Sequence, residues 1–145
     1  MVELKVKKLC DKAILPSYGS ASAAGADLYS CEEELIFAPG ETKLVHTGIA
    51  MEIPEGYVGL IYARSGIATK RGLAPANKVG VIDSDYRGEI MVALHNHSGV
   101  EEKIEAGERI AQIVITPYLT VSFIETDSLD DTERGSGGFG STGTK

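Results

Sequence analysis

The most constraining feature of this sequence is a succession of short apolar segments, none longer than a β-strand, separated by turns that contain glycine or proline. The apolar or alternating segments lie at residues 2–6, 44–46, 58–62, 91–94, 110–115 and 121–124. Turn-forming residues lie between them at 39–41, 54–56, 85–88 and 106–108. Strands with this spacing and punctuation are typical of a β-sandwich, barrel or jelly roll. The sequence therefore predicts an all-β domain.

One stretch of the sequence has the pattern of a helix. We expect Ser65 to cap its start, residues 67–71 to form about two turns and Gly72 to end it.

Length and composition exclude several classes of protein. The 145 residues fit one domain or one subunit of an assembly. A content of 43% hydrophobic and 24% charged residues is that of an ordinary globular protein. Every apolar run is shorter than the roughly 20 residues that span a bilayer. The first six residues alternate and carry charge, unlike a secretory signal, so we expect a cytoplasmic protein without a membrane partner.

The charge is negative overall but positive in one region. A net charge of −7 disfavours bulk electrostatic attraction to nucleic acid, and we expect no direct nucleic acid binding. Residues 61–90 carry five cations against three anions, which suits a small anionic ligand held locally. Cys10 and Cys31 lack metal-ligand spacing and are predicted to be reduced thiols.

The C-terminal residues differ in composition from the rest of the chain. The segment 127–145 is rich in glycine and serine, which is typical of a solvated, flexible tail. Arg134 and Phe139 are unusual in a linker, and a cation and an aromatic ring among glycines indicate a flap that orders on a ligand. The sequence thus divides into a β-domain at 1–126 and a flap at 127–145.

Two segments have groups suited to phosphates or a metal ion. Arg64-Ser65-Gly66 combines a guanidinium, a hydroxyl and the free N–H groups of a helix start, which together suit a phosphate. A plain helix cap with a solvated arginine is an equally good interpretation. Asp27 lies among small residues at 24–28, and its carboxylate can hold a divalent metal through water. Taken alone, an aspartate in a turn is the simpler interpretation.

Two further segments carry possible catalytic or binding groups. Residues 77–90 have the pattern of a hairpin, and Asp83 and Tyr86 lie in its turn. A carboxylate beside an apolar run is a candidate general base, although turns favour aspartate without any chemistry. Gln112 lies within an apolar strand and either donates to a ligand oxygen or makes a cross-strand hydrogen bond.

Together and in this order, five segments resemble the five motifs of the trimeric dUTPase family. They are residues 24–28, 64–66, 80–88, 107–112 and 134–143. Each motif alone is weak, but the ordered set is highly specific and extends from about residue 20 to the C-terminus. Ala63 stands where the family often has proline, a difference that concerns the stiffness of the loop.

The resemblance implies a distorted β jelly roll of the β-clip type, with one short helix, assembled as a homotrimer with active sites at the subunit contacts. It implies a hydrolase, dUTP diphosphatase, that cleaves dUTP to dUMP and pyrophosphate with Mg²⁺. Such an enzyme limits uracil incorporation into DNA and supplies dUMP for dTMP synthesis.

The resemblance also implies a role for each site residue. Asp83 would activate the attacking water, Asp27 would orient the metal through water, and Tyr86 would exclude a ribose 2′-hydroxyl. The residues expected to bind the α- and β-phosphates are Arg64, Ser65, Gly66 and Gln112. Those expected to read the uracil edge are Asn77, Gly80, Val81, Ile82 and Met91. The flap would close over the substrate, in a neighbouring subunit's site, with Arg134, Phe139, Gly140, Ser141 and Thr142.

Two other functions stay open at this point. A relative with the same fold could deaminate dCTP, although such chains usually run longer and lack the stacking flap. A non-catalytic trimeric nucleotide sensor is the other, although such a protein has no need of Asp83 as a general base.

Overall fold

The computed structural model describes residues 2–143, so residue 1 of the predicted domain and residues 144 and 145 of the predicted flap lie outside the described part. Within that part the chain forms eleven β-strands and one helix, α1 (Ser65–Lys70). The strands are β1 (Lys5–Lys8), β2 (Ser17–Tyr18), β3 (Ala26–Tyr29), β4 (Leu35–Phe37), β5 (Thr42–Glu52), β6 (Tyr57–Tyr62), β7 (Leu73–Pro75), β8 (Gly80–Ile82), β9 (Glu89–Asn96), β10 (Glu102–Ile104) and β11 (Arg109–Pro117).

The strands pair into antiparallel sheets that share one hydrophobic core. A four-stranded sheet has the order β1-β5-β9-β7, a five-stranded sheet the order β2-β3-β11-β6-β8, and β10 pairs with β4. Along β9, alternate residues such as Ile90, Val92 and Leu94 are buried, and they meet Ile61 and Ile113 of the five-stranded sheet in the core. This period-two burial is what a half-buried strand requires, and the prediction of an all-β domain is confirmed.

The helix α1 occupies the predicted place, but its cap differs from the prediction. Arg64, in an extended conformation, is the N-cap residue and makes no side-chain capping bond, so Ser65 is the first helical residue. The predicted end is confirmed: Gly72 follows the C-cap residue Arg71 and has φ +70°, a conformation that favours glycine. Ile67 is buried in the core and anchors the helix. At six residues, α1 is far too short to span a membrane, and the described part of the chain has no helix that could.

Two strand predictions were wrong. The segment 77–90 is not a two-stranded hairpin, because β8 pairs with β6 while β9 pairs with β5 and β7, so the intervening loop joins the two large sheets. Residues 121–124 are not a strand, and Phe123 and Ile124 are almost fully exposed. In both cases the local sequence identifies a segment that can form a strand, whereas the pairing depends on which strand edge lies beside it.

A bulge in β5 is hydrogen-bonded to the start of β9, the neighbouring strand in the four-stranded sheet. The register between β5 and β9 shifts between His46 and Ala50, and Gly48 lies there with φ +67°. The Glu89 carboxylate accepts a hydrogen bond from the Gly48 amide at 2.9 Å and pairs with Nδ1 of His46 at 2.8 Å. This hydrogen bond with Glu89 raises the pKa of His46 above its ordinary value of 6.5, although partial burial opposes it.

The two cysteines lie at the same bulge. Both Cys10 and Cys31 are free thiols, as predicted. A Cβ atom on Gly48 would lie 2.7 Å from Sγ of Cys10 and 3.1 Å from Sγ of Cys31, so the bulge has no room for a side chain. Burial raises the pKa of the Cys31 thiol to about 11, and its hydrogen bond with Cys10 adds to this.

We expect the His46–Glu89 pair to stabilise the fold in acidic solution more than in alkaline solution. Because the folded pKa of His46 is raised, the stabilisation is complete below the unfolded value and is lost as the pH rises through the folded value. The substitution His46→Gln should therefore lower the free energy of unfolding more at about pH 5.5 than at about pH 9. Urea unfolding at the two pH values measures this difference, and an equal loss at both would contradict the pairing.

Candidate active site

Three of the five segments meet around one polar cavity of about 220 Å³, here called the arginine cavity. It is lined by Gly19, Ala23, Gly25, Asp27, Arg64, Ser65, Gly66, Arg109 and Gln112. The strand order explains the convergence, because β11 lies between β3 and β6. Gln112 is opposite Asp27 on one side and opposite Tyr62 on the other, and Arg64 follows two residues after Tyr62.

The electrostatics of the arginine cavity depend on one carboxylate between two guanidinium groups. Asp27 is only 8% exposed, and its Oδ1 accepts a hydrogen bond from Nε of Arg64 at 2.6 Å. Its Oδ2 lies 3.4 Å from Nη1 of Arg109. Two cations therefore face one anion, which leaves the lining suited to an anionic ligand.

Gln112 makes the cross-strand bond considered above and also lines the cavity. Its Nε2 donates to the carbonyl of Ala63 at 2.8 Å, and this bond fixes the orientation of the amide. A Cβ atom on Gly25 would lie 2.4 Å from Oε1 and 3.3 Å from Cβ of Gln112. The glycine at 25 therefore leaves the space that the Gln112 side chain occupies.

The uracil-edge residues lie in a second, narrow cavity of about 90 Å³ between β8 and β9, here called the slot. Its lining includes all five of the predicted residues, Asn77, Gly80, Val81, Ile82 and Met91. Within residues 2–143 no ladder joins β8 to β9, since β8 pairs only with β6 and β9 only with β5 and β7. Backbone N–H and C=O groups on the inner edge of β8 are thus available to a planar ligand.

Asp83 and Tyr86 belong to the loop that follows β8. Asp83 is exposed and lines a third, wider cavity of about 720 Å³, together with Asp85, Arg87 and Lys5. The Tyr86 hydroxyl donates to the carbonyl of Glu89 at 2.8 Å, and the Tyr86 amide donates to the carbonyl of Asp83 at 3.2 Å. These two bonds hold the tyrosine ring against the loop.

The predicted flap residues lie apart from all three cavities. From residue 126 to 143, each hydrogen bond that the structure describes joins residues of the tail to one another. Nε of Arg134 donates to the carbonyl of Gly137 at 2.8 Å, and Gly140, Ser141 and Thr142 are exposed. Phe139 is fully exposed and has φ +51°, which is uncommon for an aromatic residue.

The sequence interpretation missed Arg109 as a residue of the cavity. Arg109 and Gln112 are three residues apart, and strict alternation would place them on opposite faces of β11. The ladder between β11 and β3 shifts between Arg109 and Ala111, so an irregularity interrupts the alternation. Both side chains consequently line the same cavity. Gly19 and Ala23 were also missed, since neither carries a side chain that signals chemistry.

The chain matches one family model and several curated proteins. The dUTPase model matches residues 11–143. The deoxyuridine 5′-triphosphate nucleotidohydrolase of Nautilia profundicola is 53% identical over 142 residues, which cover 98% of this chain and 99% of that protein. The protein of the same name from a Hydrogenobaculum species is 51% identical over 144 residues, covering 99% of this chain and all of the other.

The fold is also similar to a solved structure, the dUTPase of Staphylococcus bacteriophage 80alpha with dUPNHPP. The TM-score is 0.91 at 31% identity, and the match covers 99% of this chain and 100% of that chain. The predicted fold class, an all-β jelly roll with one short helix, is confirmed.

We expect Gly25→Ala to destabilise the protein by about 1–3 kcal/mol, because the added methyl group displaces the Gln112 side chain from its bond to Ala63. Gly19→Ala is the matched control, since Gly19 lines the same cavity but a Cβ there meets nothing within 4 Å. Urea denaturation of both variants gives the free energies of unfolding. Equal stability of the two variants would show that Gly25 does not make room for Gln112.

Proposed function

The chain belongs to the dUTPase family and is a hydrolase of deoxyuridine 5′-triphosphate, and we propose that it cleaves dUTP to dUMP and pyrophosphate by attack of an Asp83-activated water on the α-phosphorus. The reaction would limit uracil incorporation into DNA and supply dUMP for dTMP synthesis. The observation that carries the proposal is the arginine cavity, where residues of three of the five family segments bring together groups whose chemistry suits phosphates.

The arginine cavity fits the α- and β-phosphates. Phosphoryl transfer is catalysed mainly by positioning and by neutralising charge, so guanidinium, hydroxyl and amide donors suffice without a protein nucleophile. Arg64 is already fixed by Asp27, Ser65 and Gly66 begin α1, and the Gln112 amide is fixed by its bond to Ala63. A triphosphate therefore meets donors that need little rearrangement.

Asp27 fits a water-mediated magnesium site and does not fit a direct one. It is the only acidic residue that lines the arginine cavity within residues 2–143, and both of its oxygens face guanidinium groups. The described residues contain no cluster of three acidic, histidine or cysteine ligands. Mg²⁺ commonly keeps several waters and relies on substrate phosphates plus one or two carboxylates. When bound, it would neutralise charge on the triphosphate, and Asp27 would orient it through a water molecule.

The slot fits the uracil base. Uracil and cytosine present opposite donor and acceptor patterns at position 4 and N3, so a site of fixed backbone groups accepts only one of them. Each mismatch leaves a buried polar group unpaired, at a cost of about 1–3 kcal/mol. The unpaired edge of β8 and the amide of Asn77 supply such groups beside Met91.

Asp83 and Tyr86 fit the roles of general base and sugar selector. Asp83 lies on the loop that continues directly from the slot, so a nucleotide with its base in the slot has this carboxylate near its sugar and α-phosphate. The bond from the Tyr86 hydroxyl to the Glu89 carbonyl fixes the ring at the same loop, where it would pack against deoxyribose and leave no room for a 2′-hydroxyl.

A complete site requires more than one copy of the chain. The arginine cavity, the slot and the cavity of Asp83 have no lining residue in common, and the tail contacts none of them through hydrogen bonds. We therefore place the sites of a homotrimer where the arginine cavity of one copy faces the slot and Asp83 of another. Symmetric assembly of this kind repeats the same contact three times.

Exposed apolar residues support such an assembly. Leu119 and Phe123 follow β11 and are about nine-tenths exposed, which is unfavourable in an isolated chain. A groove of about 460 Å³ with an apolar lining, which includes Leu4, Val6 and Ile113, is available to such side chains from another copy.

In such an assembly, residues 127–145 would extend as a flap, separate from the domain at 1–126. Phe139 would cover the uracil, while Arg134 and the backbone and hydroxyls of Gly140, Ser141 and Thr142 would close over the γ-phosphate.

We expect Asp83→Asn to lower the rate of hydrolysis by about 10²- to 10⁴-fold while the protein still binds dUpNHpp, because only the proton acceptor is lost. Asp85→Asn is the matched control, since Asp85 lines the same cavity and should retain most of the activity. The assay measures pyrophosphate and ammonia separately. Unchanged turnover of Asp83→Asn would contradict its role, and ammonia release by the wild-type protein would indicate a deaminase.

We expect a chain ending at Glu133 to fold and assemble like the full chain but to hydrolyse dUTP at least about 10²-fold more slowly, because the site would stay open to water. Size-exclusion chromatography and thermal unfolding test the first part, and steady-state kinetics tests the second. Phe139→Ala should reproduce part of the loss, whereas Ser136→Ala should not. Full activity of the truncated chain would exclude a catalytic role of the tail.

A further inference from the structure

Arg71 connects the end of α1 to β10 and to the turn that follows it. It is the C-cap residue of the helix. Its Nε donates to Glu102 at 2.9 Å, and its two terminal nitrogens donate to the Glu108 carboxylate and to the carbonyl of Lys103. These hydrogen bonds of the guanidinium therefore all go to residues 102–108, the segment that leads into β11.

One partner of Arg71, Glu108, lies directly before a residue that lines the arginine cavity. Glu108 immediately precedes Arg109, and its second oxygen accepts a hydrogen bond from the Glu105 amide at 2.9 Å. Glu108 thus fixes the turn from which β11 starts. The same strand carries Arg109 and Gln112 into the cavity.

The other end of α1 supplies Ser65 and Gly66 to the same cavity. The start of the helix has no side-chain cap of its own, so its position depends on other contacts. Ile67 is buried in the core, and Gly72 packs closely on Ser98, since a Cβ atom there would lie 2.7 Å from Cβ of Ser98. With only six residues, a displacement of its last turn moves its first turn as well.

From these contacts we propose that Arg71 is a positioning residue of the phosphate-binding part of the site. It sets the distance between Ser65 and Gly66 on one wall of the arginine cavity and Arg109 and Gln112 on the other. The proposal rests on the assignment of the cavity to phosphates, and it adds a residue that contacts no substrate. Arg71 lies outside the five family segments and is not among the predicted site residues.

The three hydrogen bonds of the Arg71 side chain require an arginine at this position. A planar guanidinium reaches three acceptors at fixed angles, whereas a lysine ammonium is a point charge on a flexible stem. Without the cation, the half-buried carboxylates of Glu102 and Glu108 would repel each other, and the turn would separate from the helix.

The experiment compares the binding of two ligands that share the base and sugar but differ in phosphates. Calorimetric titration measures dUpNHpp, and NMR titration measures deoxyuridine, for the wild-type protein, Arg71→Gln and Arg71→Lys. We expect both variants to bind dUpNHpp about tenfold or more weakly, with a higher KM for dUTP, while deoxyuridine affinity is unchanged. Lys103→Ala is the matched control: in the described part of the chain the Lys103 ammonium forms ion pairs with Glu34 and Glu105, and the substitution keeps the backbone carbonyl that Arg71 binds.

Two results would overturn the positioning role of Arg71. An equal loss for both ligands would make Arg71 a purely structural residue and overturn the proposal, as would unchanged binding of dUpNHpp. If Arg71→Gln does not fold, Glu102→Gln removes one contact and should show the same selective loss to a smaller extent. Failure of the wild-type protein to release pyrophosphate from dUTP would instead refute the proposed function. That measurement uses no Arg71 variant, so the two failures can be distinguished.

Discussion

The ion pair of Asp27 with Arg64 is the interaction on which the rest of the candidate site depends. The carboxylate is nearly buried, so leaving it without its cation would carry a large desolvation penalty. The pair fixes Arg64, the residue before α1, while the bond to Glu102 fixes Arg71, the residue after α1. The short helix is thus held by charge at both ends, and its first residues face the same cavity as Gln112. A preorganised set of donors is what a triphosphate requires for catalysis by positioning.

The order of the strands in the two large sheets explains why the cavities are separate. The loop after β8 crosses from the five-stranded sheet to the four-stranded sheet, so β8 and β9 diverge and leave the slot between them. The arginine cavity instead lies where β3 and β6 flank β11. A single chain consequently has the arginine cavity and the slot at different places, with no lining residue in common. The proposed phosphate and base sites would therefore be brought together by contact between copies.

Much of the strand content could be predicted from the sequence, but the pairing of strands could not. Residues 91–94 and 110–115 are apolar runs of strand length, and β9 and β11 form there. Residues 121–124 are a similar apolar run, yet no strand of the described part pairs with them. The family resemblance named residues of the first, second and fourth segments as site residues, and Asp27, Arg64, Ser65, Gly66 and Gln112 do line one cavity. Arg109 was missed because an irregularity in the β11 ladder, invisible in the sequence, changes the face on which it lies.

The most direct test of a site shared between copies is activity after mixing two inactive variants, Arg64→Ala and Asp83→Asn. If one copy provides Arg64 and another provides Asp83, a randomly mixed trimer has both intact residues in about a quarter of its sites. We expect dUTP hydrolysis to recover to about that fraction of the wild-type rate after the two are unfolded and refolded together. Activity that stays at the level of the separate variants, in trimers shown to contain both chains, would contradict the shared site.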